Sequence, residues 1–173
     1  ALALLVEAAF ATGQMAEAGR LLSRWGSQPE SGPVAWLTLL QPARWALFGG
    51  DLATARRLCE AALGHRSDAQ PAQIRALFHA FAAMVAAYQE DGAALTREVG
   101  FVSDLIDAPQ GWVESGAYLV AGYALAAAGQ VRQAAELVLV GGGGPDLHLA
   151  QVVDRALGYE ILVTAALEDG DVA

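Results

Sequence analysis

The stretch of the sequence that comes nearest to a chemical motif is the glycine run at positions 140–146, which reads VGGGGPD. A glycine-rich loop that holds phosphate groups ends in Gly-Lys-Ser/Thr, because the lysine contacts the phosphate and the hydroxyl contacts magnesium. Pro145 and Asp146 stand at that place here, and the chain contains no lysine. We therefore interpret the run as a flexible linker between helical units, and we expect no cofactor in this segment.

Histidine, cysteine and carboxylate residues form no recognisable catalytic or metal-binding pattern. The histidines are His65, His79 and His148, and none belongs to a His-Glu-x-x-His pair or to a cluster with zinc-ligand spacing. Cys59 is the single cysteine and lies among the apolar positions of a predicted helix, so we expect a core residue. The acidic pairs Glu90–Asp91 and Glu168–Asp169 adjoin predicted turns, where solvation explains them. We predict no catalytic residues, no metal site and no enzyme.

Composition limits the class of protein. The chain has 173 residues, of which 55% are apolar and 17% are charged, so it can bury a sizeable core. Nineteen acids against ten arginines give a net charge of −9, which argues against direct nucleic-acid binding. The lone cysteine and the absence of a secretory signal at the start of the sequence favour a cytoplasmic location.

One uncharged segment has nearly the length of a membrane span. Residues 115–131 carry no charge, but they are rich in alanine and glycine and lack basic flanks. A helix packed on all sides within a helical array explains this composition better. We therefore expect no membrane contact.

A short turn followed by an Ala-, Leu- and Arg-rich helix recurs along the chain. The expected turn glycines are Gly13, Gly50, Gly92, Gly129 and Gly170. Glycine suits the left-handed end of one helix, and an Asp or Gln beside it can cap the next. Intervals of about 40 residues, with two helices in each unit, are typical of an α-solenoid.

The helices before the turns complete each pair. We place them at about 2–11, 34–48, 72–90, 112–128 and 147–168, and Pro42 is expected to kink or shorten the second of them. A small residue follows three of the turn glycines by five positions and lets two antiparallel helices approach closely; these residues are Ala18, Ala55 and Ala134. In the third unit, Arg97 or Glu98 stands there instead.

Taken together, these patterns predict an all-α fold. We expect a right-handed superhelix of four to five antiparallel helix pairs in a single helical-repeat domain spanning residues 1–173. The sequence starts inside an apolar helix pattern without a methionine and ends within a further copy that begins at Gly170. We therefore expect a piece of a longer protein. The absence of lysine and asparagine is typical of GC-rich bacterial coding sequences.

The units resemble tetratricopeptide-like repeats. Besides the turn glycine and the alanine, a small residue stands seven positions before the glycine at Ala43 and Gly122. An aromatic residue stands eleven before it at Tyr118 and Tyr159. The repeat period is longer than the period usual for that family, which is about 34 residues.

The arginine-rich helices and Gly-Asp turns, above all the run at positions 155–173, also resemble the repeat arm of large LuxR-type, maltose-regulator-like bacterial regulators. This resemblance implies an ATP-binding module before the arm and a DNA-binding helix-turn-helix after it. It also implies that the arm senses a small effector or a regulatory protein.

First helices usually line the inner surface of a solenoid. Counting back from the turn glycines gives six candidate contacts for an effector or partner: Arg44, Phe48, His79, Tyr123, Glu160 and Thr164. We therefore expect a non-catalytic binding domain of a transcription regulator that contacts DNA only through another part of the protein. The alternative function that stays open is a free-standing repeat scaffold for protein partners. Whether exposed apolar ends form a dimer is also left open.

Overall fold

The computed structural model describes residues 2–25, 37–64 and 70–170. These residues form α-helices and no strands, which confirms the all-α prediction at that level. The helices are α1 (Leu2–Ala11), α2 (Met15–Trp25), α3 (Leu37–Phe48), α4 (Leu52–Gly64), α5 (Ala72–Tyr88), α6 (Gly92–Leu105), α7 (Trp112–Ala127), α8 (Val131–Gly142) and α9 (Val152–Asp169). Predictions that concern His65 and residues 171–173 lie outside the described residues.

The chain divides into two compact units, Ala1–His65 and Arg66–Ala173, which we call the N-terminal unit and the C-terminal unit. Helices α1–α4 belong to the first and α5–α9 to the second. None of the helices in the described ranges is long and apolar enough to cross a membrane. The uncharged segment predicted to be a packed helix supplies most of α7, which has 16 residues.

One turn geometry joins the helices in pairs. The turn residues with a left-handed backbone are Gly13 (φ 68°), Gly50 (φ 79°), Glu90 (φ 57°) and Gly129 (φ 76°). In the first turn, the amide of Gly13 donates to the Phe10 carbonyl at 3.0 Å, and that of Gln14 donates to the Ala9 carbonyl at 2.8 Å. The other three turns repeat both bonds at the same offsets. This is the Schellman ending of a helix, which satisfies carbonyls that the helix itself cannot pair.

The third turn departs from the predicted register. Its left-handed residue is Glu90, whereas Gly92 is the first residue of α6. A non-glycine residue in this conformation costs roughly 1–2 kcal/mol, so sequence alone favours the nearby glycine. Counting from Glu90 makes the spacing of the turns more even than counting from Gly92 does. The residue five after the turn is then Leu95, which is buried, and not Arg97 or Glu98.

The N-terminal unit buries apolar residues between its helices. Helix α1 packs on α2, and α3 packs on α4 and contacts α1 and α2. Val6, Ala18 and Trp25 belong to one buried cluster. Cys59 is buried in α4, as expected. Pro42 lies inside α3, which continues to Phe48.

The C-terminal unit has its largest interfaces around α5 and α7. Helix α5 packs on both α6 and α7, α7 packs on α8, and α9 packs on α8 with a smaller contact to α7. Gly122 of α7 lets α8 approach closely, because a Cβ there would lie 3.0 Å from Val138 Cγ2 and 3.2 Å from the Ala134 carbonyl oxygen. The small residues predicted before and after the turn thus face each other across this pair.

The glycine run at positions 140–146 is not the flexible linker that the sequence suggested. Gly141 and Gly142 lie in the last turn of α8, and Gly143 (φ 77°) ends that helix. Leu147 follows with its side chain fully buried, and a Cβ at Gly158 of α9 would lie 2.7 Å from Leu147 Cδ1. The loop is therefore anchored in the core, and α9 begins at Val152 rather than near residue 147.

Candidate functional site

The N-terminal unit brings two of the six candidate residues together. Arg44 and Phe48 lie one turn apart on α3, and the Arg44 guanidinium stands 4.8 Å from the ring centroid of Phe10 and 5.9 Å from that of Phe48. The two phenylalanine rings meet edge to face at 5.7 Å. Arg44 also reaches the Gln41 Oε1 atom at 3.5 Å. The aromatic rings favour one arginine position by cation–π attraction, so the cation is held in place.

Beside this cluster, an open groove of about 540 Å³ runs along α2. Its apolar wall is the indole of Trp45, which packs against Gly19 so closely that a Cβ there would lie 2.8 Å from Trp45 Cζ2. Arg20 and Arg24 line the groove, together with Glu17, which forms an ion pair with Arg20. We call this surface the Trp45 groove. It combines a flat apolar wall with two cations and one carboxylate.

Charge is divided unequally between the two units. Residues 1–65 contain five arginines and five acids, whereas residues 66–173 contain five arginines and fourteen acids. The whole net charge of −9 therefore belongs to the C-terminal unit. An anionic ligand meets less repulsion at the N-terminal unit, where the Trp45 groove lies.

His79 is engaged within the C-terminal unit rather than available to a ligand. Its Nδ1 atom lies 2.7 Å from Glu98 Oε2 of α6, its ring stacks on Phe101 at 4.7 Å, and both members of the pair are largely buried. Burial raises the pKa of the Glu98 carboxyl, but hydrogen bonds from His79 and Arg97 outweigh it and lower that pKa overall. The pair joins α5 to α6.

The remaining three candidates lie on α7 and α9. The Tyr123 hydroxyl donates to the Asp154 carbonyl at 2.9 Å and so connects α7 to the start of α9. Burial raises the pKa of the Tyr123 phenol. Glu160 and Thr164 are exposed on α9, and the Thr164 hydroxyl donates to the Glu160 carbonyl at 2.8 Å. Tyr123 therefore has a structural hydrogen bond, whereas Glu160 and Thr164 face solvent.

Sequence reasoning missed the Trp45 groove. Trp45, Arg20 and Arg24 were not among the six candidate contacts. A glycine inside an otherwise strong helix pattern, Gly19 in α2, was the available signal, because such a glycine often marks a close approach. The sequence does not show that α3 packs beside Gly19 and places the indole of Trp45 in the space that this glycine leaves open.

The described residues contain no group of three or more His, Cys, Asp or Glu side chains placed to hold a metal ion. The geometry of the Trp45 groove suits reversible binding of a flat anion, through stacking and charge-assisted hydrogen bonds.

Comparison with known proteins finds no matching family model, no matching curated protein and no matching solved structure.

Proposed function

We propose that this chain is a tetratricopeptide-like α-solenoid, a right-handed superhelix of helix pairs, that binds an effector without catalysing a reaction. The observation that carries the proposal is the regular recurrence of one Schellman turn along the chain. Repeats of two helices stacked in this manner make extended surfaces that bind ligands or proteins. The Trp45 groove is where we place the effector.

The effector that fits the groove is a small aromatic carboxylate. The Trp45 indole that lines the groove gives an aromatic ring an apolar partner, and the guanidinium groups of Arg20 and Arg24, which also line it, suit a carboxylate. The neutral N-terminal unit tolerates the added negative charge better than the acidic C-terminal unit. Inorganic phosphate has the charge without the ring, so it serves as a probe of charge alone.

Benzoate is expected to bind to the Trp45 groove in a saturable manner. Titration followed by the indole N–H resonance of Trp45 in an NMR spectrum, assigned with Trp45→Phe, checks this. Replacing Arg20 and Arg24 together by alanine removes both cations and should weaken benzoate binding about tenfold or more. Phosphate should bind more weakly than benzoate.

The matched control replaces Arg56 and Arg57 of α4, which lie in the same unit outside the groove. Since this variant has the same net charge as the groove variant, any general electrostatic effect is common to both. We expect it to bind benzoate within about twofold of the unaltered chain. Equal weakening in both variants, or a Trp45 resonance that does not move, would argue against an effector site in the groove.

We further propose that the domain is the arm of a LuxR-type bacterial regulator and couples effector binding to DNA binding elsewhere in the protein. Its support is the resemblance of the arginine-rich helices and Gly-Asp turns. Reading the gene on both sides of this segment tests it. We expect an ATP-binding module upstream and a helix-turn-helix downstream. A frame that encodes neither would instead favour a repeat scaffold for protein partners.

A further inference from the structure

Helix α9 exposes a stripe of residues on one face. The first helices of the other pairs bury residues at equivalent positions, counted back from the turn residue. The stripe consists of Ala156, Tyr159, Val163 and Leu167, which lie at positions 14, 11, 7 and 3 before Gly170 and share one face of the helix. Tyr159 is 42% exposed, Val163 57% and Leu167 58%. We call this surface the α9 stripe.

The same positions are covered in the preceding helix pairs. Seven positions before the turn residue stand Val6, Ala43, Ala83 and Gly122, all of them buried. Three positions before it stand Phe10, Leu47 and Ala87, which are at most 9% exposed, and Ala126, which is partly buried. Among the described first helices, only α9 leaves both of these positions exposed.

Within the C-terminal unit, the second helix of each pair does the covering. In the pair α5–α6, His79 contacts Glu98 and Phe101 of α6. In the pair α7–α8, Gly122 faces Ala134 and Val138, and a Cβ at Gly141 would lie 2.5 Å from the Tyr118 Cβ atom. The stripe on a first helix is thus the docking surface for the second helix of its own pair.

The end of α9 has the geometry that leads into a second helix elsewhere in the chain. Gly170 has φ 76°, and its amide donates to the Leu167 carbonyl at 3.2 Å, as the turn residues of the four complete pairs do at the same offset. Without a helix that covers it, the apolar α9 stripe stays exposed to solvent. In the four complete pairs, a turn with this geometry is followed by the second helix of the pair.

We propose that the α9 stripe binds the second helix of a fifth pair, formed by the segment that follows Gly170 in the full protein. Its pattern follows from the four second helices that are described. Five positions after the turn residue stand Ala18, Ala55, Leu95 and Ala134, and twelve after it stand Trp25, Ala62, Val102 and Gly141, all buried. The covering helix therefore carries apolar or small residues five and twelve positions after Gly170. This inference rests on the helix-pair repeat of the proposed function and not on the effector site.

The experiment compares residues 1–173 with the same chain extended along its reading frame by the length of one further helix and its connection, about 20 residues. Thermal unfolding is followed by circular dichroism, and oligomeric state by sedimentation. We expect the extension to raise the melting temperature by about 5 °C or more, because it buries the stripe. Val163→Asp should cancel that gain and leave the melting temperature of the shorter chain unchanged. Leu157→Asp, which alters an exposed leucine on another face of α9, should leave the gain intact.

Several results would overturn the proposal. A stop codon after Ala173, or following residues without the expected pattern, would leave no second helix to cover the stripe. An extension that leaves the melting temperature unchanged would show that the stripe is not its docking surface. Another outcome is a dimer of the shorter chain. If Val163→Asp dissociates that dimer and the extension does not, the stripe binds a second copy of the chain. The benzoate titration is independent of all these outcomes, so the two proposals fail separately.

Discussion

Replacing Leu147 by alanine should lower the free energy of unfolding of the C-terminal unit by about 2–5 kcal/mol. Leu147 is fully buried although it lies in a loop, and its side chain fits into space left by Gly142 and Gly158. Truncating the side chain leaves a cavity that neighbouring helices close only in part. The change also releases the loop that connects α8 to α9.

Chemical denaturation followed by circular dichroism measures this loss, and hydrogen exchange locates it. We expect faster exchange in α8 and α9 and unchanged exchange in α1–α4. Leu139→Ala serves as the control, because Leu139 lies in α8 but is exposed, and it should cost less than about 1 kcal/mol. If Leu147→Ala costs no more than the control, the loop is not anchored in the core.

Gly141→Ala should also destabilise the C-terminal unit, by about 2 kcal/mol. The new methyl group would lie 2.5 Å from the Cβ atom of Tyr118 and 3.3 Å from the Ser115 carbonyl oxygen, so the two helices must separate. This cost exceeds the gain of up to about 1 kcal/mol that alanine has over glycine in a helix.

Gly116→Ala makes the same chemical change on α7, where the added group meets open space beside the helix. It should therefore stabilise the protein by about 0.5–1 kcal/mol. Denaturation of the two variants gives opposite signs if α7 and α8 approach as closely as described. Stabilisation by both would show that the pair is looser.

The spacing of apolar residues and the turn glycines predicted most of the helices, because both signals depend only on residues close in the sequence. The first helices end close to the predicted positions, and Cys59 proved to be buried. Glu90 was missed because a left-handed glutamate is unfavourable on its own, and Gly92 stands nearby. Glu90 adopts this conformation within the Schellman turn, where its amide donates to the Ala87 carbonyl at 3.1 Å and the Asp91 amide donates to the Ala86 carbonyl at 3.0 Å.

The candidate site was less predictable than the fold. Arg44 and Phe48 form a cluster, but Phe10 and Trp45 complete the surface, and no periodicity places α1 and α2 beside them. His79 was expected to face a ligand, whereas the structure pairs it with Glu98. Counting from Gly92 instead of Glu90 had put His79 on the wrong face, since a shift of two positions along a helix rotates a side chain by about 200°.

The recurring turn is the feature on which both the repeat and its register depend, and the third turn tests it most directly. Glu90→Gly and Gly92→Ala should be made separately and their free energies of unfolding compared by chemical denaturation. We expect Glu90→Gly to stabilise by about 0.5–1 kcal/mol, because glycine adopts φ 57° without strain. Gly92→Ala should be neutral or stabilising, because Gly92 lies in α6 with open space beside it. Loss of about 1 kcal/mol in Gly92→Ala, with no gain in Glu90→Gly, would place the turn at Gly92 and contradict the register described above.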